Sequence, residues 1–402
     1  MKGKFVFVFC LLLSTSFLSF ARFDQRDAKA SSTLPIHNID TGLNYSTIQE
    51  AINANETLDG QTILVDAGTY YENVVVNKSL SIIGANSEST VIDGNYTGNV
   101  VEIVNNVTLS GFTIRNSGGA LEDSGIYLDG GVNCTISENQ VINNNYGIYL
   151  YASVSSPTFS VITQNYIANS NVGISASEAY DTTFTANTIA NSSQKGVFLF
   201  ASEYNTFIHN NFINNTIQVY NWGESGKWPD TWDNGNSSGG NYWSDYKGNN
   251  TNHGFGNIPY SADELGNQDH YPLMGMFTSF NATSQDSVEI VSNSTVTDFQ
   301  FNGTAISFNA AGENGTTGFC RINVPTAIIN GTLAVFVNGT QLPFLVLPES
   351  NITQDILYFT YHHSTQQIII APEFQPSITL LLFVLATMIA VVLCRRKPNT
   401  RL

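Results

Sequence analysis

Apolar and polar residues alternate in a unit that occurs four times between residues 125 and 217. Each unit opens on a glycine, followed by two apolar residues with one other residue between them, and the four openings are Gly125, Gly147, Gly173 and Gly196. They are 22, 26 and 23 residues apart, a period typical of stacked supersecondary units. The unit is too short for a pair of helices, so we expect each one to form a single coil of a β-solenoid.

The two apolar residues of each opening should point to the same side of a strand. Stacking at about 4.8 Å per coil would align them into inward ladders. The pairs are Ile126/Leu128, Ile148/Leu150, Ile174/Ala176 and Val197/Leu199. A second motif, Asn-x-apolar-x-Asn, comes later in each unit. Asparagine tolerates left-handed turns and can bond its neighbour one coil away, so we expect a turn ladder from its last position. That position is Asn143, Asn169, Asn191 and Asn214.

Three further patterns surround the repeats. Residues 46–55 predict a short amphipathic helix that caps the first of roughly seven coils. All four tryptophans fall within residues 221–277, an irregular Trp/Gly/Asn-rich segment that we expect to fold back over the other end. In residues 278–372 alternation returns without the repeat, and Asn-Gly turns separate the apolar runs, which favours a small antiparallel β-sandwich.

Both ends of the chain carry membrane signals. Lys2 and Lys4 precede an apolar run, so residues 1–30 predict a secretory signal peptide, with an uncleaved anchor as the alternative. A second apolar run is followed at once by three basic residues. It predicts one transmembrane helix, residues 376–394, and a cytoplasmic tail, residues 395–402; a buried core helix is the alternative. The ectodomain would then lie outside the cell, and the chain would be single-pass.

The predicted fold is therefore all-β. A right-handed parallel β-helix with an N-terminal cap helix occupies residues 31–220, the capping segment and the sandwich stalk come next, and a single C-terminal transmembrane helix ends the protein.

The exported body is acidic. Between residues 31 and 394 the chain has 6 basic and 30 acidic residues. Such a body repels phosphate backbones, so nucleic acid is not an expected partner. Of the four cysteines, Cys134 and Cys320 lie outside the terminal apolar runs, in different predicted domains. Two buried free thiols are favoured, and a disulfide between them stays open.

Seventeen Asn-x-Ser/Thr sequons are present. In an exported chain some of them should carry glycans, although an Asn-rich and Thr-rich sequence also produces sequons by chance. The candidates for glycosylation are Asn44, Asn95, Asn133, Asn191, Asn236, Asn302 and Asn338.

Several stretches together resemble a known family. The segment from STIQEAINAN to TVIDG resembles the opening of right-handed parallel β-helix proteins of the NosD-like and pectate-lyase-like group. The Gly-Ile-x-Leu and Asn-x-Ile-x-Asn coils resemble the NosD-like repeat more closely. GNYWSDY and YPLM resemble the segment C-terminal to the β-helix in NosD-like surface proteins of archaea. The resemblance covers roughly residues 45–275 and implies the fold more than an activity.

The family name implies a copper-related accessory role, whose ligands should be His, Met or Cys. His209 stands alone in a coil turn, and His270, Met274 and Met276 belong to the segment around YPLM. A core or capping role is the expectation for these residues.

Related surface proteins carry an Asp-rich loop of a calcium-binding kind before Pro-Tyr. In this chain residues 249–260 contain no carboxylate. Calcium prefers several anionic oxygens, so the loop by itself does not predict a tight calcium site. Asp245, Asp263 and Asp269 flank the loop and remain the candidate metal ligands. Calcium is the one cofactor that these residues allow.

Polysaccharide lyases and hydrolases share the β-helix, so an enzyme is a further alternative. Their chemistry needs paired carboxylates, or a base beside a cluster of acids. The acids of the coils are scattered, and no catalytic residue is assigned.

The outward positions of the repeated strand form an aromatic row. If Ile126 and Leu128 point inward, Tyr127 and Asp129 point outward, and the later coils add Tyr149, Tyr151, Phe198 and Phe200. Stacked aromatic rings on a flat sheet suit sugar rings; the alternative is a face covered by the tryptophan-rich segment or by a partner. The favoured function is a membrane-anchored cell-surface protein with a binding or structural role towards glycans or envelope polymers. The lyase or hydrolase and the copper accessory protein are the alternatives.

Overall fold

The structure is a computed structural model that describes residues 34–152, 158–223 and 229–373. The predicted signal peptide, transmembrane helix and basic tail lie outside the described residues. Within the described part of the chain, no helix is both long and apolar enough to cross a membrane.

Residues 36–243 wind through three sheets, and each coil contributes one strand to each sheet. The nine-stranded sheet consists, in spatial order, of Leu43–Tyr45, Ile36–Asn38, Thr62–Val65, Ser81–Gly84, Thr108–Ser110, Thr135–Ser137, Val161–Thr163, Thr183–Thr185 and Thr206–Ile208. The eight-stranded sheet consists of Tyr242–Trp243, Asn211–Ile213, Thr188–Ala190, Tyr166–Ala168, Gln140–Ile142, Thr113–Arg115, Thr90–Asp93 and Gly68–Tyr70. The seven-stranded sheet consists of Ile217–Trp222, Lys195–Phe200, Val172–Ser177, Tyr146–Tyr151, Ser124–Asp129, Val101–Ile103 and Val74–Val76.

Apart from the first two strands of the nine-stranded sheet, neighbouring strands in these sheets run parallel. This is a parallel β-helix of about seven turns, as the repeat predicts. The inward ladders are confirmed: Ile126 pairs with Ile148 and Ile148 with Ile174, and all three are fully buried. One continuous apolar core therefore runs along the solenoid axis.

The glycine that opens each unit has a steric cause. A Cβ on Gly147 would lie 2.4 Å from the carbonyl oxygen of Gly173, and a Cβ on Gly173 would lie 2.6 Å from that of Gly196. Real Cβ atoms do not approach a carbonyl so closely, so the backbones of successive coils leave no room for a side chain here.

The asparagine ladder is real, but the predicted position for it is wrong. The hydrogen-bonded column is formed by the first asparagine of each of the four motifs, and it ends at Asn241 of the capping segment; its members are Asn139, Asn165, Asn187, Asn210 and Asn241. Each side-chain amide donates to the Oδ1 of the next residue at 3.0–3.1 Å, and each Oδ1 also accepts the preceding residue's backbone N–H. The predicted positions are left-handed turn residues, as expected, with φ of 57° at Asn143 and 56° at Asn169, but their side chains are exposed and do not form the ladder.

Both ends of the solenoid are capped. The predicted helix forms at Ile48–Asn53; Thr47 accepts the backbone N–H of Glu50 as N-cap, and Ile48, Ala51 and Ile52 are buried. At the other end, Trp232 stacks on Phe207 at 4.5 Å between ring centroids. Trp243 stacks on Phe212 at 4.2 Å. The tryptophan-rich segment thus extends the interior aromatic stacks, as expected of a cap.

The capping segment is otherwise irregular. It contains the short helix Gly235–Ser238 and two small antiparallel hairpins, formed by Asn250–Asn252 with Phe255–Gly256 and by Tyr260–Ser261 with Gln268–Asp269.

Two five-stranded antiparallel sheets come next and enclose a second apolar cluster. In spatial order the first contains Met276–Asn281, Ser287–Ser292, Thr317–Pro325, Gln354–His362 and Leu345–Val346. The second contains Thr295–Phe301, Ile306–Ala311, Gln366–Pro372, Leu333–Val337 and Thr340–Leu342. The alternation in residues 278–372 thus corresponds to antiparallel strands. Cys134 and Cys320 are both buried and free, so the open disulfide alternative is wrong.

The first antiparallel sheet packs on the capped end of the solenoid. Phe255 and Leu273 of the capping segment pack with Phe277, Val291 and Phe319 in a third apolar cluster. At its edge, the amide of Asn211 donates to the carbonyl of Phe277 and its Oδ1 accepts the same residue's N–H.

Candidate functional site

The aromatic face is the outward side of the seven-stranded sheet. Two columns run along it in strict register across the coils. The central column is Glu102, Tyr127, Tyr149, Ser175, Phe198 and Tyr220. The second column is Asp129, Tyr151, Ser177, Phe200 and Trp222. Parallel pairing holds each residue opposite its equivalent one coil away, so the face extends over about 25 Å.

In one half of this face four tyrosines cluster. The ring centroids of Tyr127 and Tyr149 lie 5.5 Å apart, and Tyr146 stacks on Tyr149 at the same distance. The Tyr149 hydroxyl donates to Glu122 at 3.5 Å, and this ring is only 7% exposed. Tyr127 and Tyr151 are partly exposed. The rings pack on one another, and the outer ones remain open to contact.

The other half combines aromatic rings with one cation. Phe198 and Tyr220 stack at 5.9 Å, and the Lys195 ammonium lies 5.0 Å from the Phe198 centroid and 5.2 Å from that of Tyr220. Phe200 meets Trp222 edge-on at 5.5 Å, and Trp222 is 63% exposed. A tryptophan so exposed on a sheet presents a flat apolar surface to a ligand.

A coil with serines separates the two halves. Ser175 and Ser177 are 2% and 8% exposed although they point outward. Because both side chains are buried, this coil is not an open slot.

The electrostatic setting keeps the phenols neutral. Burial, with Asp129, Glu122 and Glu102 nearby, raises the pKa of Tyr127 to about 12. Burial and Glu122 likewise raise the pKa of Tyr149 to about 12. These hydroxyls therefore act as hydrogen-bonding groups at neutral pH rather than as bases.

The structure places all six predicted ligand-binding residues on this one face. Sequence reasoning missed Tyr146, Tyr220 and Trp222. The strand Ile217–Trp222 lacks the opening glycine, so the repeat pattern does not include it; its alternation of Val219, Tyr220 and Trp222 could have revealed it.

The three predicted metal ligands have different hydrogen-bond partners. Asp245 accepts from Gln218 and Tyr260, and Asp263 accepts from Asn221 and from two backbone N–H groups. Asp269 lies at the end of the asparagine ladder. It accepts the backbone N–H of Asn241 at 2.7 Å, the indole N–H of Trp243 at 2.9 Å and the backbone N–H of Tyr271 at 3.0 Å.

Among the described residues, no group of three or more His, Cys, Asp or Glu side chains is placed to hold a metal ion. The histidines named for copper are also engaged: His209 Nε2 bonds Ser238, and His270 Nδ1 lies 3.0 Å from Asp233. These side chains do not fit a copper site.

The predicted glycosylation sites are accessible. All seven candidate asparagines are exposed, and in the solenoid they lie at turns or at the N-terminal edge rather than on the aromatic face. Glycosylation at these positions stays a prediction.

The fold and this face define a class: a parallel β-helix whose outward side carries aromatic columns. The chain belongs to the NosD family, because the family model described as "Periplasmic copper-binding protein (NosD)" matches residues 27–248. A "Cell surface glycoprotein" of Methanothermus fervidus (strain ATCC 43054 / DSM 2088 / JCM 10308 / V24 S) is 33% identical over 108 residues, which are 27% of this chain and 17% of that protein.

A solved structure, "Geobacillus virus E2 - ORF18", aligns with a TM-score of 0.29 and 14% identity over 83% of this chain and 76% of that chain. So low a TM-score supports no conclusion about fold or function.

Proposed function

We propose that this protein is an outside-facing surface protein that binds a glycan or another envelope polymer along the aromatic face. The observation that carries the proposal is the pair of aromatic columns in register, of which the second ends in Trp222 with 63% of its surface exposed. Contiguous exposed apolar surface on a soluble domain marks an interaction site, and the aromatic rings offer flat surfaces for stacking.

The surface location is supported by the relative named as a cell surface glycoprotein and by the predicted signal peptide, sequons and C-terminal span. In this proposal the last segment, residues 376–394, anchors the protein in the membrane, and the sandwich holds the solenoid away from it.

The interior of the coils supplies the rigidity that such a role needs. Stacked asparagines and buried aliphatic ladders fix the aromatic columns at the spacing of the strands. A polymer could therefore contact several coils at once, and the affinity of weak single contacts would add up.

The test is retention of the full-length chain on gels or beads that carry immobilised polysaccharides, neutral and acidic. Phe200→Ala combined with Trp222→Ala should weaken retention by about tenfold, because two stacking surfaces are lost. The matched control is Thr163→Ala with Thr185→Ala, two register-paired outward residues of the nine-stranded sheet, which should bind like the original chain.

The double substitution Tyr149→Ala with Tyr151→Ala distinguishes a binding surface from a face that is covered by internal packing. If this pair lowers thermal stability but leaves retention unchanged, the tyrosine cluster is internal packing rather than a binding surface. Equal retention of all the variants on every polysaccharide would overturn the proposed function.

A further inference from the structure

A polar cavity of about 320 Å³ lies between the capped end of the solenoid and the first antiparallel sheet. Its walls include Arg321, Asn323 and Glu289 from the sheet, and His209 and Ser238 from the solenoid and its cap. The volume is at the low end of the range of small-molecule sites, so the cavity fits one small molecule rather than a polymer segment.

The register of the sheet explains why these three side chains meet. Glu289 pairs with Asn323, and Val291 pairs with Arg321, across adjacent antiparallel strands. Arg321 and Asn323 are two residues apart, so they project from the same face. Glu289 is then the diagonal neighbour of Arg321, at about 7–8 Å, close enough for one small molecule to reach both.

Arg321 is a buried cation with more N–H donors than its two hydrogen bonds use. It is only 6% exposed, and its guanidinium packs on the Phe255 ring at 4.2 Å. Nη1 donates to the carbonyl of His253 at 3.4 Å and Nη2 to that of Ser237 at 3.1 Å. A guanidinium has five N–H donors. Among the described residues no carboxylate forms a salt bridge with it.

Asn323 contributes an acceptor that lacks a partner. Its amide nitrogen donates to Glu289 at 3.1 Å and to Gln354 at 3.0 Å. Both partners are acceptors, so the orientation of the amide is settled. Its Oδ1 is buried and has no hydrogen-bond partner among the described residues.

The remaining titratable side chain of the cavity wall, His209, is neutral. His209 is buried, stacks on Phe277 at 4.2 Å, and donates through Nε2 to the Ser238 carbonyl. Burial lowers the pKa of this imidazole. The cavity thus presents one cation and one carboxylate that are not paired with each other.

We propose that this cavity binds a small zwitterion of the free α-amino acid class, with its carboxylate on Arg321 and its ammonium on Glu289. An anion alone would meet Glu289, and a cation alone would meet Arg321, whereas a zwitterion satisfies both charges. This site is distinct from the aromatic face, and binding of a zwitterion here does not depend on polymer binding there.

The experiment compares three probes of matched size: L-alanine, propionate and ethylammonium. Thermal shift and titration calorimetry on the full-length chain should show binding of L-alanine and at least about tenfold weaker binding of either singly charged analogue. Glu289→Gln should weaken L-alanine binding and improve binding of propionate, since the repelling carboxylate is gone. Arg321→Gln should show the opposite change, towards ethylammonium.

Arg321 also holds the cap to the sheet, so Arg321→Gln can fail to fold. Glu289→Gln keeps the shape of the wall and tests the proposal by itself. If none of the three probes binds the original chain, or if Glu289→Gln leaves the order of the probes unchanged, the cavity is not a zwitterion site. Loss of this binding without loss of polysaccharide retention would leave the proposed function untouched.

Discussion

The inside and the outside of the same coils follow different rules. Inside, the repeated coils share a glycine, two small or branched aliphatics and a ladder asparagine at equivalent positions, and the other inward positions change only between apolar side chains, as from Ile189 to Phe212. Outside, the central column of the aromatic face changes from glutamate to tyrosine, serine and phenylalanine. The nine-stranded sheet, on the same scaffold, is mostly threonine and serine outside.

This difference teaches which residues stacking requires. Inward residues must stay apolar or form the asparagine ladder, because each one contacts its equivalent in the next coil and fills a core with little free space. Outward residues face no such demand, since the threonine columns stack equally well. The aromatic columns are therefore not explained by the fold, and interior and exterior substitutions should differ in kind.

The largest expected effect is on the interior ladder. Asn187→Ala should lower the free energy of unfolding by about 3 kcal/mol, because it leaves buried partners unsatisfied on both sides. Chemical denaturation measures the change. Asn169→Gly, at an exposed turn with φ of 56°, is the control and should change stability little. Similar losses for both would mean that the ladder is not the stabilising column.

A smaller loss is expected from Gly173→Ala. Its Cβ would lie 2.6 Å from the Gly196 carbonyl and 2.8 Å from a methyl of Ile189, so the coils must shift, at a cost of about 2 kcal/mol. Gly119, with no atom within 4 Å of the added Cβ, is the control position. An unchanged melting temperature for Gly173→Ala would contradict the close-packed interior.

The third prediction concerns pH and the carboxylate at the end of the ladder. Burial raises the pKa of Asp269 to about 7, against the effect of its N–H donors. Between about pH 4 and 7 the folded state then binds more protons than the unfolded state, so stability should fall as pH rises through this window.

Melting temperatures of the original chain and Asp269→Asn from pH 4.5 to 8 check this prediction. Burial also raises the pKa of Asp230 to about 7, so the variant should keep part of the slope. An identical slope in both proteins would show that Asp269 does not titrate in this range.

The smallest effect on stability is expected for a residue on the outward side of the solenoid. Trp222→Ala should change the free energy of unfolding by no more than about 0.5 kcal/mol, because the ring is 63% exposed. Its effect should appear in polysaccharide retention instead. A stability loss as large as that of Gly173→Ala would place Trp222 with the interior and weaken the contrast between the two sides.

The candidate site was only partly predictable from the sequence. Alternation within each strand placed Tyr127, Tyr149 and Phe198 on one side, since period two is a local property. How much of each ring stays exposed was not predictable: Tyr149 is nearly covered by its neighbours. The prediction of which motif asparagine forms the ladder was also wrong, because both asparagines of the motif recur at the same period.

The sequence by itself determined the parallel β-helix, its inward ladders, its two caps and the strands of the antiparallel sheets. All of these features depend on the spacing of the repeats or on the apolar pattern within one coil, helix or hairpin. Only the tertiary structure decided that the first motif asparagine forms the ladder, and that His209, Glu289 and Arg321 surround one cavity. These residues are far apart in sequence, and no local period links them. Their meeting depends on how the antiparallel sheet packs against the solenoid cap, where Phe255, Val291 and Phe319 are buried together.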